Sequence, residues 1–196
     1  MAFSSSFDAG IAEVVFNKPP VNAFNSAEWA GIAAEIKALG ARSDVHVIIV
    51  RAEGKGFCAG VDIKELGADP NMIVPVNKGN YDTFEAIHRN PKPVIVALHG
   101  FVLGGGIGIA GAADIIVASE CASFGVPEVD RGAMGGGAHF SACSRYKKCA
   151  TCTLRVSLLM HTRRTGWEPW SAWFPVINWL TQHLKWRRKL LKRVPR

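Results

Sequence analysis

Apolar residues recur in two periods along the first 140 positions, whereas the last 56 follow neither. The run GIAEVVFN at 10–17 is β-rich and is stopped by Lys18-Pro19-Pro20. Asn25 followed three positions later by Glu28 has the form of a capping box, and Trp29, Ile32, Ala33, Ile36 and Leu39 return at steps of three and four. That spacing predicts an amphipathic helix ended by Gly40. VHVIIVR at 45–51 predicts a strand, followed by the glycine-rich turn AEGKGFCAG. Residues 62–66 predict the start of a short helix, and 67–78 carry no clear period. Tyr81, Phe84, Ile87 and His88 mark a further helix face. PVIVAL at 93–98 predicts a buried strand, 107–112 a turn or two of helix, and ADIIVA at 113–118 another strand. Strands without alternation, divided by helical runs, predict an α/β fold whose sheet is covered on both faces.

Charge divides the chain at the same boundary. Residues 1–140 hold 10 Lys and Arg against 15 Asp and Glu, whereas 141–196 hold 13 against 1, so the net charge of +7 belongs to the tail. The tail also contains five of the six Trp and three of the five Cys, but only Gly166 of the 20 Gly. Two regions are therefore expected: a coherent core over 1–140 and an atypical basic, Trp/Arg-rich tail over 141–196. Translation out of frame from near residue 141 would yield such a tail, and no cooperatively folded domain is expected in it. A nucleic-acid arm would explain KWRRKLLKR at 185–193 but not WEPWSAWFP before it, so a nucleic-acid partner is disfavoured. Cys149 and Cys152 lack the second pair or spaced His of a zinc site, and no metal is expected. The start, MAFSSSFDAG, lacks the charged and apolar regions of a secretory signal, and no stretch reaches 18 apolar residues. A cytoplasmic location without a membrane partner is expected.

Two patterns compete for the glycines. Gly106-Ile107-Gly108-Ile109-Ala110-Gly111 fits a dinucleotide fingerprint, with Glu120 as the acid. The interval is too short for the crossover helix that this fingerprint needs. A phosphate loop fails for want of Gly-Lys-Ser/Thr, and no serine elbow is present. The other pattern pairs two turns, Phe57-Cys58-Ala59-Gly60-Val61-Asp62 and Leu103-Gly104-Gly105-Gly106, each between a strand and a short helix. Unpaired amides at such helix starts can polarise a carbonyl and hold the charge that develops on its oxygen.

Four blocks carry a resemblance: NKPPVNAFN at 17–25, GKGFCAGVDIKEL at 54–66, KPVIVALHGFVLGGGIGIAGAADIIVASE at 92–120, and FGVPEVDRGAMGG at 124–136. In order and spacing they resemble the enoyl-CoA hydratase/isomerase, or crotonase, family across 6–140. The resemblance implies a crotonase-like α/β spiral of repeated ββα units, here without the usual C-terminal helical region. It implies no separate cofactor, a substrate carried as a coenzyme A thioester, and assembly as a homotrimer or a pair of trimers. The two oxyanion amides fall on Val61 and Gly105. Pro20, Val21 and Ala23 would line the coenzyme path, with Ala59, Gly60, Asp62, Ile63 and Lys64 beside it. Leu103, Gly104, Gly108 and Pro127 would complete the substrate surface. The residues themselves also allow a plainer reading, with Asp62 a helix cap and Lys64 a solvated charge.

The resemblance departs from the standard hydratase at the acid–base residues. Of its two glutamates, one position is Gly108 and the other is Glu128. Asp130 is a second acid or the partner of Arg131. A single carboxylate implies double-bond shift or cleavage of a β-keto thioester rather than ordinary hydration. The GGGIG and PEVDRG segments look most like a subgroup that opens cyclic ketone CoA esters. An inactive pseudoenzyme is the remaining alternative, and His99 and His139 are expected to be structural.

Overall fold

The computed structural model describes residues 2–127. The expectations placed on Glu128, Asp130, His139, the tail 141–196 and the missing C-terminal helical region lie outside those residues. The chain opens with β1 (Phe3–Asp8) and β2 (Ile11–Phe16), followed by the two-residue β3 (Ala23–Phe24) and α1 (Ser26–Ala41). Next come β4 (Val47–Ala52), β5 (Gly60–Val61), α2 (Ile63–Ala68) and α3 (Ile73–His88). They are followed by β6 (Val94–Leu98), β7 (Phe101–Leu103), α4 (Gly105–Ala112), β8 (Ile115–Ala118) and β9 (Ser123–Gly125).

A five-stranded sheet has the order β1-β2-β4-β6-β8, with β1 antiparallel to β2 and every other pair parallel. Beside it lie two small parallel pairs, β3 with β5 and β7 with β9, joined by a bridge between Cys58 and Val102. The repeat is now visible. Three strands of the main sheet are each followed by a short strand of the second layer and then by helix: β2-β3-α1, β4-β5-α2/α3, β6-β7-α4. The pair β8-β9 begins the next unit. These ββα units wind into an open α/β spiral, as the fold class expected from the four blocks requires.

β-branched residues explain the main sheet. Val47, Ile48, Ile49 and Val50 are all buried, as are all five residues of β6. Ala12, Val14, Phe16, Ile48, Val50, Val94, Val96 and Leu98 join one large core with α1, whereas Ile11, Val47, Ile49 and Ile95 form a separate cluster. Burial on both faces is why these strands read as continuous apolar runs. At about 25 cal/mol per Å² of buried apolar surface, each such side chain contributes roughly 1.5–3 kcal/mol.

The helices show where sequence period and packing part. The capping box of α1 forms as expected: Asn25 Oδ1 accepts from Glu28 N at 2.8 Å, and Glu28 Oε2 accepts from Asn25 N at 2.8 Å. Gly40 does not end the helix, which runs on to Ala41. A β-carbon on Gly40 would lie 2.5 Å from Asn90 Oδ1. The glycine instead admits Asn90, whose Nδ2 donates to Ile36 O and Ala86 O, each at 3.1 Å. Of the face expected at Tyr81, Phe84, Ile87 and His88, Ile87 is buried and Phe84 packs against the core, whereas Tyr81 and His88 are exposed. α3 starts at Ile73, and its buried residues are Val76, Gly79, Thr83, Ala86 and Ile87. Tyr81 is 63% exposed. The buried stripe hid because two of its members are not hydrophobic. Gly79 allows α1 to approach, with a β-carbon there 2.8 Å from Trp29 Cβ, and Thr83 Oγ1 donates to Trp29 O at 3.0 Å and Gly79 O at 2.8 Å.

Candidate active site

The first glycine turn is fastened by its main chain. Phe57 N donates to His99 O and Phe101 O at 3.0 Å, and Leu103 N donates to Cys58 O at 2.8 Å. Ala59 N donates to Val21 O at 3.0 Å, and Asp62 N donates to Phe24 O at 2.8 Å. Gly60 between them has φ +90°, a conformation that strains any L side chain. Its amide donates to Cys58 Sγ at 3.2 Å. Burial pushes the Cys58 thiol up to about 12, so it stays neutral as a local acceptor. His99 Nε2 meets Gly54 O at 2.9 Å.

Asp62 ends this turn and caps α2, its Oδ1 accepting from Lys64 N at 3.1 Å. Its Oδ2 lies 3.3 Å from Lys18 Nζ, which also meets Glu28 Oε2 at 2.6 Å. Burial works against the Lys18 charge, but the hydrogen bonds and charges of Glu28 and Asp62 outweigh it and raise the pKa above the usual lysine range. One ammonium thus ties the Pro19-Pro20 loop to the starts of α1 and α2.

The second turn opens α4. Gly104 has φ +48° and no side chain caps the helix. Gly104 N donates to Gly125 O at 3.2 Å, and Gly104 O accepts from Ile107 N at 2.9 Å. Gly105 is the first helical residue, and an amide there has no acceptor within its own helix. The two turns are in contact. A β-carbon on Gly60 would lie 3.1 Å from Gly105 N and 3.4 Å from Leu103 O. Around Gly105 stand two side chains, since a β-carbon there would be 2.8 Å from both Asn80 Oδ1 and Trp29 Cζ2. One helical turn deeper, a β-carbon on Gly108 would lie 2.2 Å from Phe84 Cζ.

The expected site residues thus divide into groups. Val21, Ala23, Ala59, Gly60, Val61 and Asp62 run side by side through the β3–β5 pairing, and Leu103, Gly104 and Gly105 abut Gly60. Pro20, Ile63, Lys64 and Pro127 are exposed beside these segments. Gly108 is buried inside α4 under Phe84. Gly106 and Gly108 lie within that helix rather than at its entry, so the rival dinucleotide fingerprint has no phosphate turn to form. Trp29, Asn80 and Phe84 were not among the expected site residues. Trp29 and Phe84 read as ordinary helix-face positions, and Asn80 gives no signal in the sequence. Among the described residues, no group of three or more His, Cys, Asp or Glu could hold a metal ion. None of their helices is long and apolar enough to cross a membrane.

A spiral of ββα units with two touching glycine turns defines the class, and comparison with known proteins agrees. The sequence profile of the Enoyl-CoA hydratase/isomerase family matches residues 6–148. The chain belongs to that family. It is 46% identical over 140 residues to the "(7aS)-7a-methyl-1,5-dioxo-2,3,5,6,7,7a-hexahydro-1H-indene-carboxyl-CoA hydrolase" of Mycobacterium tuberculosis, covering 70% of this chain and 57% of that protein. The Rhodococcus jostii hydrolase of the same name is 47% identical over 144 residues, covering 72% and 56%. Among solved structures, an enoyl-CoA hydratase from Mycobacterium smegmatis superposes with a TM-score of 0.68 at 29% identity, over 74% of this chain and 58% of that one. The chain therefore spans little more than half the length of these relatives.

Proposed function

We propose that this protein processes an acyl-coenzyme A thioester, holding the thioester carbonyl between the main-chain amides of Val61 and Gly105. The observation that carries the reading is the contact of the two turns, with Gly105 N 3.1 Å from the β-carbon position of Gly60. Two amides converging on one oxygen would stabilise the enolate formed when the α-carbon gains electrons. Gly60 is needed for its φ of +90°, and Gly105 lets Asn80 and Trp29 approach the turn. The coenzyme would follow Pro20, Val21 and Ala23 and pass Ala59 and Asp62–Lys64.

Within that class we favour ring opening of a cyclic β-keto thioester. Two relatives above 45% identity carry the name of a hydrolase acting on a bicyclic dioxo CoA ester. Position 108 carries no carboxylate, and a β-carbon there would lie 2.2 Å from Phe84 Cζ. Water adds to the ring ketone, giving up a proton to Glu128. The ring C–C bond then breaks toward the α-carbon, its electron pair forming the enolate, and Glu128 returns the proton to that carbon. One water is consumed and one carboxylate suffices. A trimer, or a pair of trimers, is the assembly this reading carries with it.

Gly105→Pro tests it, with Gly105→Ala as control. Proline suits the first position of a helix but lacks the N–H, whereas alanine keeps the donor and carries the same β-carbon. The proline variant should be about 10²–10³-fold slower than the alanine variant while still binding coenzyme A esters. Equal rates would overturn the reading. Turnover of crotonyl-CoA at the usual enzyme range of roughly 1–10³ per second would overturn the single-carboxylate chemistry.

A further inference from the structure

One buried polar side chain has no part in the reading above. Asn22 is 4% exposed and stands between Val21 and Ala23 with φ +52°, a left-handed conformation that asparagine tolerates better than most residues. Its Oδ1 accepts from Lys18 N at 2.7 Å, and Nδ2 donates to Glu53 O and Gly56 O at 3.0 Å each. One N–H partner and two carbonyl partners admit a single orientation of the amide. Only asparagine offers that acceptor and two donors on so short a stem.

These bonds reach both sides of Val61. Upstream, Gly56 leads into Phe57 and Cys58, the segment bonded to β7: Phe57 N donates to Phe101 O at 3.0 Å, and Leu103 N donates to Cys58 O at 2.8 Å. β7 ends at Leu103, two residues before Gly105. Downstream, the Lys18 main chain held by Asn22 carries the ammonium that meets Asp62 Oδ2 at 3.3 Å, and Asp62 follows Val61 directly. Side-chain packing does little to fix Val61, because β3 and β5 pair over two residues and α2 buries none of its residues. We infer that Asn22 is a positioning residue that sets the Val61 amide relative to the Gly105 amide. Its polar atoms are spent on the protein, so it acts through the turn rather than on a ligand. This rests on the thioester reading, which gives those two amides their role.

Asn22→Gly tests this, because glycine keeps the left-handed backbone without strain and removes only the side chain. Ile36→Ala, a packing loss within α1, controls for lowered stability. Each full-length protein is saturated with butyryl-CoA carrying ¹³C at the thioester carbonyl. The carbonyl stretch is then read by infrared difference spectroscopy, beside calorimetric binding and a urea midpoint. The unmodified protein and Ile36→Ala should show the same shift to lower frequency. Asn22→Gly should still bind the ester but lose about half of that shift or more, as one of two donors moves out of line. A full shift in folded Asn22→Gly would overturn the inference and leave the thioester reading standing. So would an equal loss in Ile36→Ala, or a folded Asn22→Gly that no longer binds the ester. Should the glycine variant not fold, Asn22→Ser, whose single O–H cannot serve both carbonyls, takes its place under the same criteria. No binding or no shift in the unmodified protein would overturn the thioester reading, and this inference with it.

Discussion

The five-stranded sheet and the glycine turns beside it are held together in opposite ways. The sheet is filled by side chains: Val14, Ile48, Val50, Val94 and Val96 are each 0% exposed. The turn layer uses strands of two or three residues, fastened by main-chain bonds such as Leu103 N to Cys58 O at 2.8 Å. There the space between segments is set by missing β-carbons. On Gly100, at φ +54°, one would lie 2.0 Å from Lys55 O, and on Gly106 one would lie 2.8 Å from Cys58 O. The sheet is therefore damaged by removing atoms and the turns by adding them. On the proposed reading that difference serves the function, because turns built on glycine bring amides to a ligand.

Substitutions can break this contrast. The largest loss of stability is expected from Phe16→Ala, which empties a fully buried aromatic site and should cost about 3–5 kcal/mol in urea unfolding. Gly100→Ala adds only one methyl, yet backbone strain and the close Lys55 carbonyl should make it cost about 2–3 kcal/mol. Should it prove neutral, the turns would not be packed as described. Gly108→Ala should cost about 1–2 kcal/mol even though alanine is the better helix former, because the methyl meets Phe84. Combining it with Phe84→Leu should cost less than the two single losses added together, and strict additivity would contradict the contact. Lys18→Met should have the smallest effect, about 1 kcal/mol, since its ion pairs are partly exposed. The folded Lys18 pKa is raised, so its contribution is complete below the ordinary lysine value of 10.5 and fades only as pH rises through the higher folded value. The cost of the substitution should therefore be the same at about pH 7 and pH 9.

The same contrast decides what could be read from the sequence. Side-chain packing leaves a pattern, so β2, β4, β6, β8 and α1 announce themselves through apolar runs and through Asn25 with Glu28. The pairs β3–β5 and β7–β9 are main-chain structures of two or three residues, with no period to detect. β1 was hidden for another reason: from Ser4 to Asp8 it is exposed, and three of its six residues are serine. The first half of α3 was lost behind Pro75 and Gly79. At the site, the glycines of both turns were legible as a motif, since only glycine serves there. Asn80 was not, because its position beside Gly105 depends on how closely α3 approaches α4. The ring of Phe84 against Gly108 is visible only in three dimensions.

On the proposed reading, two main-chain amides, one from each turn, grip a single thioester oxygen. Infrared difference spectroscopy of a bound acyl-coenzyme A carrying a ¹³C label at the thioester carbonyl observes that grip without needing turnover. The carbonyl stretch should move to lower frequency on binding, as two hydrogen bonds draw electron density onto the oxygen. The shift should be smaller in Gly105→Pro than in Gly105→Ala, which carries the same β-carbon but keeps the N–H. A bound ester whose carbonyl absorbs where it does in water, or whose shift is the same in the alanine and proline variants, would contradict the account.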